Sequence, residues 1–118
     1  MRVARVVISD EEIDRALEEA RNAPDPPSIV LATYHPERGL DLFVLVISDG
    51  RRLMIPREEL QAVAGATPEQ AAEFTTEPLG SQLWWTKLDT GYPTSALLEH
   101  RYGSDQWMER LERRGVAA

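Results

Sequence analysis

Residues 29–56 read IVLATYH at 29–35, PERGLD at 36–41, LFVLVI at 42–47, SDG at 48–50 and RRLMIP at 51–56. Ile29 to Tyr34 is an apolar run with a β-branched start, and His35-Pro-Glu-Arg-Gly39 carries the proline and glycine that punctuate a turn. Leu40 to Ile47 alternates in part and is dense in Leu, Val and Phe. Asp49-Gly50 between apolar runs is a strong hairpin signal, because the pair accepts the positive φ that tight hairpins need. Arg51 to Ile55 returns as a third strand, which Pro56 ends. Three strands joined by short turns predict an antiparallel meander.

Upstream, Asn22-Ala-Pro-Asp-Pro-Pro-Ser28 holds three prolines, which neither a helix interior nor a central strand accepts. It reads as a stiff spacer. Before it, Ser9-Asp-Glu-Glu12 fits a capping box, and Ile13, Ala16, Leu17 and Ala20 fall on one helical face. That stripe is narrow, so the helix is expected to lie on the surface of the body. Periodicity leaves open whether Arg2 to Ile8 forms a strand.

Downstream, Leu60, Val63 and Ala64 have helical spacing, predicting a helix from Arg57 to Ala64 that Gly65 ends. Thr67 before Pro68 predicts a second helix start, with the proline at the first helical position. Phe74 to Pro78 and Gln82 to Trp85 read as short strands, Thr94 to Tyr102 as a helix ended by Gly103, and Ser104 as the cap of a last helix reaching Arg114. Strands and helices in separate blocks predict an α+β fold: a small antiparallel meander with an N-terminal helix and C-terminal helices packed on it. The 118 residues suit one domain, with 1–28 as helix plus proline-rich spacer and 29–114 as the body.

The chain has no cysteine, which removes thiolate metal sites, disulfides and cysteine nucleophiles. With no signal-peptide pattern at the N-terminus, a reducing, cytoplasmic setting is expected. The longest apolar run, Leu42 to Ile47, is far short of the ~20 residues of a membrane-spanning helix. Twenty acids oppose thirteen bases, Lys87 being the only lysine, for a net charge of −7. Such a field repels phosphate backbones, disfavours direct nucleic-acid binding and favours basic partners, although it also serves plain solubility.

From Ser48-Asp-Gly-Arg-Arg52 onward the sequence resembles the bacterial family called domain of unknown function 2442. The resemblance runs through Ile55-Pro56, Leu60-Gln61, Gly65-Ala-Thr-Pro-Glu69, Leu83, Trp85, Leu88-Asp89, Leu97-Leu98 and Trp107-Met108. Each motif is short; their order and spacing carry the likeness. The opening helix and the proline-rich spacer are similar to those of longer members. Where many members have a histidine–tryptophan pair, this chain has Trp84-Trp85, so a histidine-based role there does not transfer. The resemblance implies no established activity. Relatives joined to helix-turn-helix domains, or paired with small toxin-like proteins, imply a regulatory or antitoxin-like role.

Candidate chemistry is sparse. His35 and His100 are far apart with no cysteine to help them, so no metal site is expected. There is no Gly-x-Ser-x-Gly elbow and no glycine-rich phosphate loop, so no catalytic residue and no cofactor is assigned. Asp89 follows an aromatic segment and reads either as a loop-fixing acceptor or as a general base in a pocket near Trp84 and Tyr92. Arg51 and Arg52 flank the hairpin. Arg110, Arg113 and Arg114 suit the C-terminal end of the last helix. The adjacent tryptophans lie on one strand and so point to opposite faces. One enters the core; the other is exposed, covered by a helix, or covered by a partner.

The expected function is therefore a non-enzymatic protein-binding module, antitoxin-like or regulatory. Its partner would be a small basic protein or a second copy, with Trp84, Trp85, Asp89, Tyr92, Arg51 and Arg52 as contact candidates. The alternatives are a component of a DNA-associated regulator and a small enzyme using Asp89.

Overall fold

In a computed structural model of the chain, the described residues are 9–21, 26–37 and 39–114. Arg2 to Ile8 and the first part of the proline-rich spacer lie outside them.

Helix α1 (Asp10–Arg21) starts as its sequence requires, with Ser9 Oγ accepting from the Glu12 amide at 3.2 Å and three acids in the first turn. The meander follows as β1 (Ile29–His35), β2 (Leu42–Ile47) and β3 (Arg52–Pro56), antiparallel in the order β1-β2-β3. Its register sets two faces. Tyr34, Phe43 and Ile55 form one inward row, and Ala32, Leu45 and Leu53 another. Thr33, Val44 and Met54 form an outward row, flanked by Leu31–Val46–Arg52 and His35–Leu42–Pro56. The inward rows join the main core.

α1 packs on β1. Leu17 of α1 and Val46 are both buried, yet neither belongs to the main core cluster. Val46 faces outward between two inward neighbours, so α1 covers that part of the sheet's outer face.

The Asp49-Gly50 hairpin forms as read, Gly50 taking φ 96° while the Asp49 carboxylate accepts from the Arg51 amide and guanidinium. Beyond β3 the structure departs from the sequence reading. Only Arg57–Glu59 makes a turn of 3-10 helix, and residues 60–66 are turns rather than a helix. The cause is Arg57, whose Nη1 donates to the carbonyls of Val63, Ala64 and Ala66, while Nε and Nη2 pair with Asp41. Carbonyls gathered on one cation are not aligned along a helix axis. Leu60 and Val63 are buried all the same.

α2 (Pro68–Ala71) is a single turn with a complete capping box between Thr67 and Gln70. The strand expected at Phe74 to Pro78 is one bridge, Thr75 with Trp84. The partner of β4 (Gln82–Trp85) is instead β5 (Thr90–Pro93), which has no alternation to announce it. α3 (Thr94–Leu98) stops short of the expected Tyr102. His100 takes φ 57°, Arg101 N donates to Ala96 O and His100 N to Leu97 O, the Schellman pattern that glycine more often closes. α4 (Asp105–Arg113) is capped by Ser104 as expected.

Trp85 centres the core. It is fully buried, donates from Nε1 to Ala71 O at 2.8 Å, and meets Phe43 and Tyr92 edge-on at ring-centroid distances of 5.6 and 6.4 Å. The two sheets are tied by Gly80: Ile29 N and Thr94 Oγ1 both donate to its carbonyl at 2.8 Å.

Candidate protein-binding surface

The six residues singled out from sequence do not converge. Trp85 and Tyr92, read from the sequence as contact candidates, are 0% and 8% exposed, so the fold commits both to the core. The Tyr92 hydroxyl accepts from Ala62 N at 2.9 Å and donates to Tyr102 O at 2.6 Å, and burial pushes its pKa up to about 12. It is a tie between β5 and the turns at 60–66. Trp84 points to the opposite side of β4, half-buried, with its ring across Gly91 of β5. Asp89 is exposed at φ 51° and ends the 3-10 turn at Thr86–Leu88, so its place is a loop and not a pocket.

Two clefts are present nearby. One of about 250 Å³ is lined by Gln70, Glu73, Trp85, Lys87 and Leu88; its charges, Lys87 and Glu73, pair at 2.8 Å. The other, about 240 Å³, is lined by Gln61, Ala62, Thr90, Gly91, Tyr92 and Gly103. Asp89 lines neither. A third polar corner joins Glu59, His100 and Tyr102: His100 Nδ1 lies 2.9 Å from the Tyr102 hydroxyl, and burial raises the Glu59 carboxyl above its ordinary range. Among the described residues no group of three or more His, Cys, Asp or Glu side chains is placed to hold a metal ion. No described helix is long and apolar enough to cross a membrane.

A set that the sequence reading did not assemble is the triad Tyr34, Asp41 and Arg57. Asp41 sits at φ 49° between β1 and β2, accepting from the Tyr34 hydroxyl and from Arg57 Nε and Nη2. Arg57 holds the Asp41 carboxyl below its usual range, and burial together with Asp41 raises the Tyr34 phenol. Every partner is internal, so the triad is architecture.

What the fold leaves outward is the other side of the meander. Met54 is 67% exposed, beside half-buried Val44 and Leu42. Arg52 is exposed on the same face, two residues from Met54. Arg51 is occupied by Asp49 at 2.7 Å. On the β1 side lies α1, whose sequence DEEIDRALEEAR holds six acids against two arginines, four of the chain's seven net negative charges. Asp10, Glu11, Glu12, Asp14 and Glu18 are exposed. An exposed apolar strip is thus bordered by an anionic helix. Alternation along 52–55 was the signal for Met54; that the core would take the Leu53 and Ile55 side was not readable until the register was known.

Fold and surface together define a small α+β protein with a three-stranded and a two-stranded antiparallel sheet, flanked by helices at both ends. The chain belongs to the family described as Protein of unknown function (DUF2442), whose model matches residues 32–103. α1 and α4 fall outside that match. Among solved structures, a protein of unknown function from Rhodospirillum rubrum, determined by crystallography, is 23% identical with a TM-score of 0.61, covering 71% of this chain and 99% of that one. An uncharacterized protein from Chromobacterium violaceum, determined by solution NMR, is 25% identical with a TM-score of 0.56, covering 93% of this chain and 95% of that one. No curated protein matches the chain.

Proposed function

We propose that this chain is a non-enzymatic protein-binding module, regulatory or antitoxin-like, that holds a basic partner across α1 and the outward strip of the meander. One observation carries the reading: the most acidic element of the chain lies beside its exposed apolar strip. Long-range charge speeds encounter, and burial of Leu42, Val44 and Met54 holds the complex. This moves the contact away from Trp85 and Tyr92, which serve the core. A cytoplasmic setting, where a small basic protein would meet the chain, belongs to the same proposal.

Co-purification from the native host tests it. The wild-type chain retains a basic protein, and retention is lost with V44K and with E11K/E12K/E18K, all three chains folding alike by circular dichroism. Failure to retain a partner, or a partner kept equally by both variants, contradicts the proposal.

A further inference from the structure

The exposed edge of β3 carries an inference that goes beyond partner binding and stands without it. In the β2–β3 ladder, Ile47 N donates to Arg51 O and Arg57 N to Asp41 O. Odd-numbered residues of β3 therefore turn their amides toward β2, Arg52 and Met54 turn theirs away from it, and Pro56, which has no N–H, turns its ring nitrogen away as well. Among the described residues nothing accepts from the Arg52 or Met54 amide. The other edge, at β1, is partly closed, since Ile29 N donates to Gly80 O. A row of unpaired amides and carbonyls is a template for another strand.

We infer that β3 pairs antiparallel with β3 of a second copy, about a two-fold axis through Met54. In that register each Met54 amide donates to the Met54 carbonyl of the other copy, and each Arg52 amide faces the other Pro56 carbonyl. The Met54 donors are used at the centre; at each end the Arg52 carbonyl faces the ring of the other Pro56 instead of an N–H, so the ladder opens there and is held by the Met54 pair. The two Met54 side chains stand side by side on the outer face, extending the row Thr33–Val44–Met54 across the axis.

Charge agrees with the pairing. Arg52 and Glu58 are both exposed, and neither has an ion-pair partner among the described residues. The two-fold axis sets each Arg52 opposite the other Pro56, two residues from the other Glu58, so one complementary pair forms at each end. The product is a continuous six-stranded sheet with an α1 toward each outer edge. Arg51 does not contribute, being held by Asp49.

Sedimentation velocity from ~10 µM to ~1 mM tests the inference, a range suited to a small interface. The wild-type mass rises with concentration from 13.3 kDa towards twice that value. M54P removes a donor the monomer does not use, so it stays at monomer mass with an unchanged circular dichroism spectrum. R52E weakens association about fivefold or more, and R52E/E58R restores it, as expected for two exposed ion pairs per dimer. The charge pair decides the question should M54P fail to fold. A wild-type chain monomeric throughout, or variants that associate as tightly as wild type with no rescue by the double reversal, overturns the inference.

Discussion

At the scale of the residue, Arg57 does more for this fold than any other charged side chain. It binds Asp41 sixteen positions away in sequence and three carbonyls of the segment that follows it. R57A strands those acceptors together with the Asp41 carboxylate. The expected loss is about 2–3 kcal/mol, below the cost of breaking a fully buried pair because the Asp41 side chain is 37% exposed; urea unfolding measures it. Arg57 lowers the Asp41 pKa, so folding is favoured by the ionised carboxylate. That contribution is complete above the unfolded value of about 3.9 and fades as pH falls through the lower folded value. Stability of R57A, compared with wild type between pH 5 and pH 2.5, is expected to lose part of this acid dependence. None of this was legible in the sequence, where Arg57 merely opened an expected helix and Asp41 went unremarked. Periodicity reports faces of a local element and is blind to a pairing that spans two strands.

At the scale of the element, the misread segment is instructive. Leu60, Val63 and Ala64 were grouped by helical spacing; Leu60 and Val63 are buried and Ala64 is half-buried. Spacing of three residues is also what successive turns deliver, and the competition of a guanidinium for the carbonyls decided between them. The meander was legible because its alternation and hairpin chemistry agree. β5 was not, since Thr-Gly-Tyr-Pro has neither alternation nor β propensity at Gly91 and Pro93. Gly91 has its own reason to be there: a Cβ would stand 2.4 Å from Leu83 O and 2.5 Å from the Trp84 ring. G91A is therefore expected to cost about 2–3 kcal/mol in thermal or urea unfolding. Adding W84A recovers only part of it, because the backbone contact remains. This also explains why a strand tryptophan that is not in the core is half-covered by its own sheet. The sequence offered a partner or a helix as its cover; the glycine opposite was not foreseen.

At the scale of the whole molecule, the α+β class and the order of the meander and end helices followed from the separation of strand and helix signals. The split into two sheets did not, because it depends on which strand β4 chooses. The candidate surface was legible only in its parts: net acidity and the Arg52–Met54 stretch were visible, while their position relative to α1 needed the register. Buried phenols give the molecule an alkaline limit. Tyr92 ionises near pH 10 when unfolded and at about 12 when folded, so its contribution is intact below pH 10 and is lost as pH rises through that interval. Y92F should lower stability at pH 8, where Ala62 N loses its acceptor, by about 1–2 kcal/mol, and flatten the decline between pH 10 and 12.

The most direct test of the account is a map of the contact itself. The isotope-labelled chain is titrated with the basic protein that co-purifies with it, and amide shifts are followed by NMR. Perturbations concentrated in residues 10–18 and on the outward positions 42, 44, 52 and 54 are the predicted result. Shifts gathered instead around Trp84, Asp89 and the C-terminal helix, with the outer face of the meander unmoved, would contradict it.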